Sequence, residues 1–308
     1  MDVSIIIPTY NRLWSLPKAI NSCFEPDLLI EIIVVDDGSA DGTWEWLTNH
    51  ENIVAVRQNN MGKDWAVNKG FALATGKYVR FLDSDDWLLP GSTSKLFDEA
   101  EKSGADIVCA GYQSFDEDER YIDEIKWTLC DDFLAQQLGE CDSSHYSAYL
   151  FKKSFLSDIP HRQEFGALDD RQFIIETALK GPKTSYIQSP TLAHRKHKNE
   201  RLQSSSGLVQ TANHLSRLNI YKRCFGILES ENRLTQRYKD AASNILWHLS
   251  HWVAHTHLGE AKKIYDWVYE LAPHFTPKEN LSLARMYKSF GFVNTEKLLR
   301  FRRRIKFK

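Results

Sequence analysis

Four apolar runs, each followed by polar loop residues and then by a helical periodicity, constrain this chain more than any other feature. Val3 to Ile7 is a continuous β-branched stretch closed by Pro8, the pattern of a strand buried on both faces. Ile30 to Val35 leads into Asp36-Asp37-Gly38-Ser39, and Ile53 to Val56 leads into Asn59-Asn60-Met61-Gly62. Tyr78 to Leu82 leads into Asp83-Ser84-Asp85-Asp86. Between these runs, Leu13, Leu16, Ile20 and Cys23 recur at helical spacing behind Asn11, a candidate cap. Asp41 or Thr43 opens a second helix, and residues 64–74 form a third, closed by Gly76. A helix near 92–102 and a strand over 106–112 extend the series. Such alternation predicts a mostly parallel sheet with helices on both faces. Ligands then bind beyond the C-terminal strand ends, where Pro8-Thr9-Tyr10, Asp36-Asp37 and the Asp83–Asp86 cluster all fall.

That cluster places three carboxylates within four residues. Like charges so close repel unless a cation or a proton intervenes, which points to a divalent metal. In isolation the same residues also read as a solvated acidic turn.

Further along, residues 115–142 are irregular, Tyr146 to Phe151 reads as a strand, and Asp169-Asp170 precede a helix over 172–179. A short strand at 185–187 is followed by Ala193-His194-Arg195-Lys196-His197 and a polar Ser-rich stretch. Beyond Leu208 the pattern turns helical; a pair over about 240–273 resembles one tetratricopeptide hairpin, too few for an array. The expected division is 1–205 (halves 1–112 and 113–205) followed by a helical region, 206–308.

Net charge is only -2, but residues 297–308 carry seven Lys/Arg and no acid. The remainder is therefore acidic, which argues against general nucleic-acid binding. A basic tail interleaved with Leu, Phe and Ile suits an anionic membrane surface, and equally a solvated last helical turn. The N-terminus has an acid where a secretion signal has basic residues, and reads as the first strand. Five cysteines without CxxC spacing suggest reduced thiols and a cytoplasmic setting.

Taken together, Ser4-Ile5-Ile6-Ile7-Pro8-Thr9-Tyr10-Asn11-Arg12, Val34-Val35-Asp36-Asp37-Gly38-Ser39, Asn68-Lys69-Gly70, Gly76-Lys77-Tyr78, Leu82-Asp83-Ser84-Asp85-Asp86 and Asp169-Asp170 resemble the family 2 glycosyltransferases of the GT-A (Rossmann-like) fold. The resemblance covers about residues 1–200. It implies metal-dependent, inverting transfer of a hexosyl or N-acetylhexosaminyl group from a UDP-sugar to a glycan or lipid-linked hydroxyl. It further implies that Asp85 and Asp83 hold Mn²⁺ (or Mg²⁺), completed by His197, a nitrogen ligand that favours Mn²⁺. Asp37 is assigned to the uracil N3–H, with Pro8, Thr9, Tyr10, Asn11, Asn68, Asp83 and Ser84 around the nucleotide sugar. Asp170 is the implied general base, Asp169 the runner-up and a candidate cap. Asp86 is either a second ligand or an anchor. Val67 departs from the family, where an arginine serving the donor is common; Lys63 and Arg57 are the candidate substitutes. The alternative reading is a catalytically silent nucleotide-sugar-binding module docked through its helical region.

Overall fold

A computed structural model describes residues 1–196, 207–277 and 280–306. The strands are β1 (Val3–Thr9), β2 (Ile30–Asp36), β3 (Val54–Arg57), β4 (Tyr78–Phe81), β5 (Trp87–Leu88), β6 (Ile107–Cys109), β7 (Tyr112–Phe115), β8 (Tyr121–Ile125), β9 (Leu150–Lys152), β10 (Thr184–Tyr186) and β11 (Leu192–Arg195). The helices used below are α1 (Leu16–Asn21), α2 (Thr43–Leu47), α3 (Lys63–Leu73), α4 (Ser92–Ser103), α5 (Phe133–Leu138) and α6 (Asp169–Leu179). They are followed by α7 (Gly207–Ser230), α8 (Gln236–Val253), α9 (Leu258–Leu271), α10 (Leu281–Phe290) and α11 (Phe292–Lys306).

Two compact units divide the chain. The first comprises the described residues of Met1–Leu129, Ser143–Glu164 and Asp169–Asn199; the second comprises those of Cys130–Asp142, Phe165–Leu168 and Glu200–Lys308.

In the first unit a seven-stranded sheet runs in the order β10-β6-β9-β4-β1-β2-β3. β1 pairs parallel with both β2 and β4, and β2 parallel with β3, as the alternating pattern predicts. β1 is buried along its whole length, each fully buried Ile contributing about 1.5–3 kcal/mol. β9 inserts antiparallel between β4 and β6, so the sheet is mixed. A second sheet, β5-β11-β7-β8, lies in the same unit.

Three local expectations are corrected. β1 continues through Pro8 to Thr9, because the β4 ladder ends at Ile6 and the missing Pro8 N–H deprives no neighbour. The strand expected over 106–112 splits into β6 and β7, which enter different sheets. At the break, a Cβ on Gly111 would stand 2.3 Å from the Ile125 carbonyl oxygen, so only glycine fits. Asn11 is not a helix cap: α1 begins at Leu16, and Asn11 takes a positive φ of 51° in the preceding loop.

In the second unit α5 joins α7–α11, with Leu246, Trp247, Leu249, Val253, Ile264 and Val268 buried. Arg237 pairs with Glu140 at 2.8 Å and also with Asp131. Among the described residues no helix is long and apolar enough to cross a membrane.

Candidate active site

The ends of β1 and β2 are tied to one another by their own polar groups. The Asp37 N–H donates to the Thr9 carbonyl at 2.8 Å. Asn11 staples the same two loops, its N–H donating to Ser39 Oγ and its Oδ1 accepting from the Ala40 N–H, both at 2.8 Å. Asn11 is thus a scaffold for the pocket. Thr9 is buried and its Oγ1 has no partner among the described residues, while Tyr10 is exposed.

Asp37 is not an open carboxylate. It accepts from Gln58 Nε2, from the Met61 N–H and from the Gly62 N–H, each at 2.8 Å. These three bonds fold the loop between β3 and α3 against β2. Asp36, fully buried, accepts from the Ser39 N–H at 3.1 Å and pairs with Arg57 at 3.2 Å. Arg57 also donates to the Ser39 carbonyl at 2.6 Å and lies over Trp44. It braces the loop after β2, so of the two candidate cations only Lys63 reaches the acidic cluster.

Lys63, the first residue of α3, places Nζ 2.7 Å from Asp83 Oδ1 and 5.6 Å from the Tyr146 ring centre. Burial opposes the charge on both groups of this pair. Their mutual attraction outweighs it, holding the Asp83 carboxyl below and the Lys63 ammonium well above their ordinary ranges. Ser84 is buried and its carbonyl accepts from Ser15 Oγ at 2.8 Å, fixing the acidic turn to the start of α1.

Asp86 fixes β11 and also belongs to a candidate metal cluster. It is buried; Oδ1 accepts from the Arg195 N–H at 2.8 Å and Oδ2 lies 3.1 Å from His194 Nδ1. Asp86, His145 and His194 bring ligand atoms within 4.8 Å of one another, and the two imidazoles stack with centroids 5.2 Å apart. Two imidazoles beside carboxylates form a donor set suited to a first-row divalent metal, and an Asp oriented on a His ring is a recurrent support of such sites. Burial lowers the pKa of His145, against the pull of Asp83 and Asp86. The expected ligand His197 lies outside the described residues.

The two acids of α6 have separate environments. Both lie in the first turn of the helix, so Asp169 is not its cap. Asp169 is buried, with Oδ2 2.9 Å from His161 Nδ1. Burial alone would raise its pKa, but Lys63 and His161 reverse this to about 2. Asp64 on α3 hydrogen-bonds to Asp169; burial and the Asp169 charge push Asp64 up to about 7. Below about pH 7 the protonated Asp64 donates to the ionised Asp169. His161 stacks on Phe173 at 4.2 Å, and its backbone exchanges two hydrogen bonds with the Asn68 amide, at 2.8 and 2.9 Å. Asn68, expected at the donor, is occupied in holding this segment to α3.

Asp170 is half-buried, and burial followed by the Asp169 charge raises its pKa. Its carboxylate also feels Lys63, His145 and Asp83. This electrostatic linkage brings the α6 terminus and the strand-end acids into one site. Sequence reasoning missed the roles of Asp64, His145, His161 and His194. Only His194, three residues before His197, carried a signal.

Residues 4–156 match the family model described as Glycosyl transferase family 2. The chain belongs to that family. EpsH of Bacillus subtilis (strain 168) is 24% identical over 270 residues, 80% of this chain and 75% of that protein. The Campylobacter jejuni protein named GalNAc(5)-diNAcBac-PP-undecaprenol beta-1,3-glucosyltransferase is 38% identical over 112 residues, but these make up only 34% of this chain and 36% of that one. Among solved structures, S. aureus TarS 1-349 in complex with UDP-GlcNAc superposes with a TM-score of 0.57 at 16% identity, over 89% of this chain and 91% of that one. The last likeness shows a shared GT-A fold. The expected fold class, a mostly parallel sheet flanked by helices with a helical C-terminal region, is the observed one.

Proposed function

We propose that this glycosyltransferase moves a sugar from a UDP-sugar to a hydroxyl of a glycan or lipid-linked acceptor, with inversion at the anomeric carbon. The observation that carries the reading is the linkage of Asp170, Lys63 and Asp83 in one electrostatic cluster beside the strand ends. Three acceptor bonds leave Asp37 about one of an ionised carboxylate's roughly four lone-pair directions, room for the N3–H of uracil. Thr9 and Tyr10 flank it, with Thr9 Oγ1 still seeking a partner. Complexes with UDP-GlcNAc or UDP in TarS, and the glucosyltransferase name of the C. jejuni relative, support a UDP-sugar donor.

Asp83 and Asp85, with an imidazole from His194 or His197, would hold Mn²⁺ or Mg²⁺. Such an ion neutralises charge developing on a departing diphosphate. Asp86 orients the His194 ring. Asp170, its pKa raised by burial and by the Asp169 charge, takes the acceptor proton in its carboxylate form, while Asp169 is held in place by Asp64 and His161. The reading assigns the donor to residues 1–112 and the acceptor to 113–205, with further acceptor contacts from the helical region 206–308.

The test is Asp170→Asn. Transfer from UDP-sugars should fall by about 10²–10⁴-fold while UDP binding, followed by calorimetry with Mn²⁺, persists. Near wild-type turnover in the variant would remove Asp170 from the role. Binding of UDP-sugars by the wild-type protein with no turnover on any hydroxyl acceptor would favour the silent module.

A further inference from the structure

The hairpin that joins β7 to β8 turns on Asp116. Its N–H donates to the Arg120 carbonyl at 3.0 Å and its carbonyl accepts from the Glu119 N–H at 3.1 Å. Its Oδ1 accepts from the Asp118 and Arg120 N–H groups, both at 2.9 Å. Glu119 closes this turn in the left-handed region, with φ at 63°. A hairpin loop of this kind ordinarily carries glycine there, because a side chain at that φ costs backbone energy. Local turn chemistry therefore gives no reason for a glutamate. The contacts of its side chain do.

The Glu119 carboxylate reaches two other elements. Oε1 accepts from Arg195 Nη2 of β11 at 2.9 Å, and Oε2 pairs with Lys18 of α1. Both cations lie over Trp87 of β5, Lys18 Nζ at 3.8 Å and the Arg195 guanidinium at 4.9 Å from the ring centre. The same guanidinium is 5.5 Å from the centre of Trp14. All four strands of the second sheet thus meet at the hairpin tip. The Arg195 side chain is buried, and a buried guanidinium needs an anionic partner.

Arg195 in turn holds the acidic turn at two points. Its Nε donates to the Asp85 carbonyl at 3.1 Å, and its N–H donates to Asp86 Oδ1 at 2.8 Å. A guanidinium is a planar fork, so a bond at Nη2 fixes where Nε points. Without that bond the fork can turn about its stem, and the Asp85 carbonyl loses a defined donor.

We infer that Glu119 is a positioning residue for the acidic turn. Acting through Arg195, it sets the Asp85 backbone and with it the direction in which the Asp85 carboxylate meets a divalent ion. The inference rests on the reading that Asp85 holds such an ion, and the test keeps the two apart.

The experiment titrates Mn²⁺ into the full-length protein in the presence of UDP, following the free ion by electron paramagnetic resonance. Uridine binding without metal, measured by calorimetry, reports on the pocket at Asp37. Glu119→Gly suits the left-handed backbone and removes only the side chain. Its Mn²⁺ affinity should fall by about 10-fold, as for an outer partner of a metal ligand, while uridine affinity changes by less than about twofold. Glu119→Gln keeps an oxygen for Arg195 and should lose less. Asp118→Asn, at the same tip, should leave Mn²⁺ affinity unchanged. Unchanged Mn²⁺ affinity in Glu119→Gly, an equal fall for Mn²⁺ and uridine, or an equal loss in Asp118→Asn would overturn the role of Glu119 and leave the Asp85 reading standing. A wild-type protein that takes up no Mn²⁺ with UDP would overturn the metal reading and this inference together. If Glu119→Gly does not fold by circular dichroism, Glu119→Gln carries the comparison: a fall in Mn²⁺ affinity alone supports the role, and no fall overturns it.

Discussion

At the residue scale the site is a contest between burial and charge, and Asp64 shows it most directly. Its carboxyl is raised to about 7 in the folded protein, chiefly by burial and then by the Asp169 charge. An unfolded Asp titrates near 3.9. A group with a raised folded pKa adds stability that is complete below the unfolded value and is lost as pH rises through the folded value. Asp64 should therefore cost stability progressively between about pH 4 and pH 7. Asp64→Asn keeps a donor to Asp169 and cannot ionise. Its Tm should exceed that of wild type by a margin that grows from pH 4 to pH 7 and then levels. A margin independent of pH would mean that Asp64 is not the titrating group. Asp169 has the opposite sign: its depressed pKa contributes stability that is lost only as pH falls from about 4 towards 2. The pair thus favours neutral Asp64 and charged Asp169, which leaves Asp170 as the α6 acid with its carboxylate raised in the same field.

At the scale of elements, the loops at the C-terminal strand ends are set by backbone geometry as much as by side chains. Gly38 follows Asp36 and Asp37 at the end of β2 with φ at 82°, and a Cβ there would lie 3.0 Å from the Asn60 backbone nitrogen. Both the left-handed conformation and the close approach require glycine. Gly38→Ala should cost about 1–3 kcal/mol in urea unfolding, and should weaken uridine binding because the loop over 58–62 can no longer close on Asp37. An unchanged unfolding midpoint would mean that the loops adjust freely. Most of these elements were legible in the sequence. β1 and β4 follow from continuous apolar runs buried on both faces, and α4 from the helical spacing of its buried residues. β9 was legible only as part of a longer run, because its three residues are preceded by a short 3₁₀ turn over Tyr146–Ala148. β7 and β11 were blurred because their neighbours belong to a second sheet that no local pattern announces.

At the scale of the whole molecule, the basic end of the chain invites its own test. α11 leaves Leu298 53% and Phe301 63% exposed beside Lys297 and Arg302, an apolar and cationic pairing fit for anionic headgroups. Deleting residues 297–308 should reduce partition onto vesicles containing phosphatidylglycerol, with the difference shrinking as salt rises. Partition equal to that of the full chain would leave the tail without a membrane role. Within the helical unit, Arg237 bridging Asp131 and Glu140 shows why 115–142 looked irregular: residues 130–142 belong structurally with helices more than ninety positions away.

The sequence by itself determined the parallel core, the placement of Asp37, Asp83–Asp86 and Asp170 at element ends, and the family. Each follows from local spacing and residue type, which survive whatever the rest of the chain does. Only the tertiary structure decided what those residues touch. It gave Asn11 and Asn68 backbone partners, set Asp86 against β11, paired Asp64 with Asp169, and placed Lys63 rather than Arg57 against the acidic turn. Partners separated by tens of residues meet only when a sheet order and a burial pattern bring them together. The energy of a buried charge depends on those partners far more than on its neighbours in sequence.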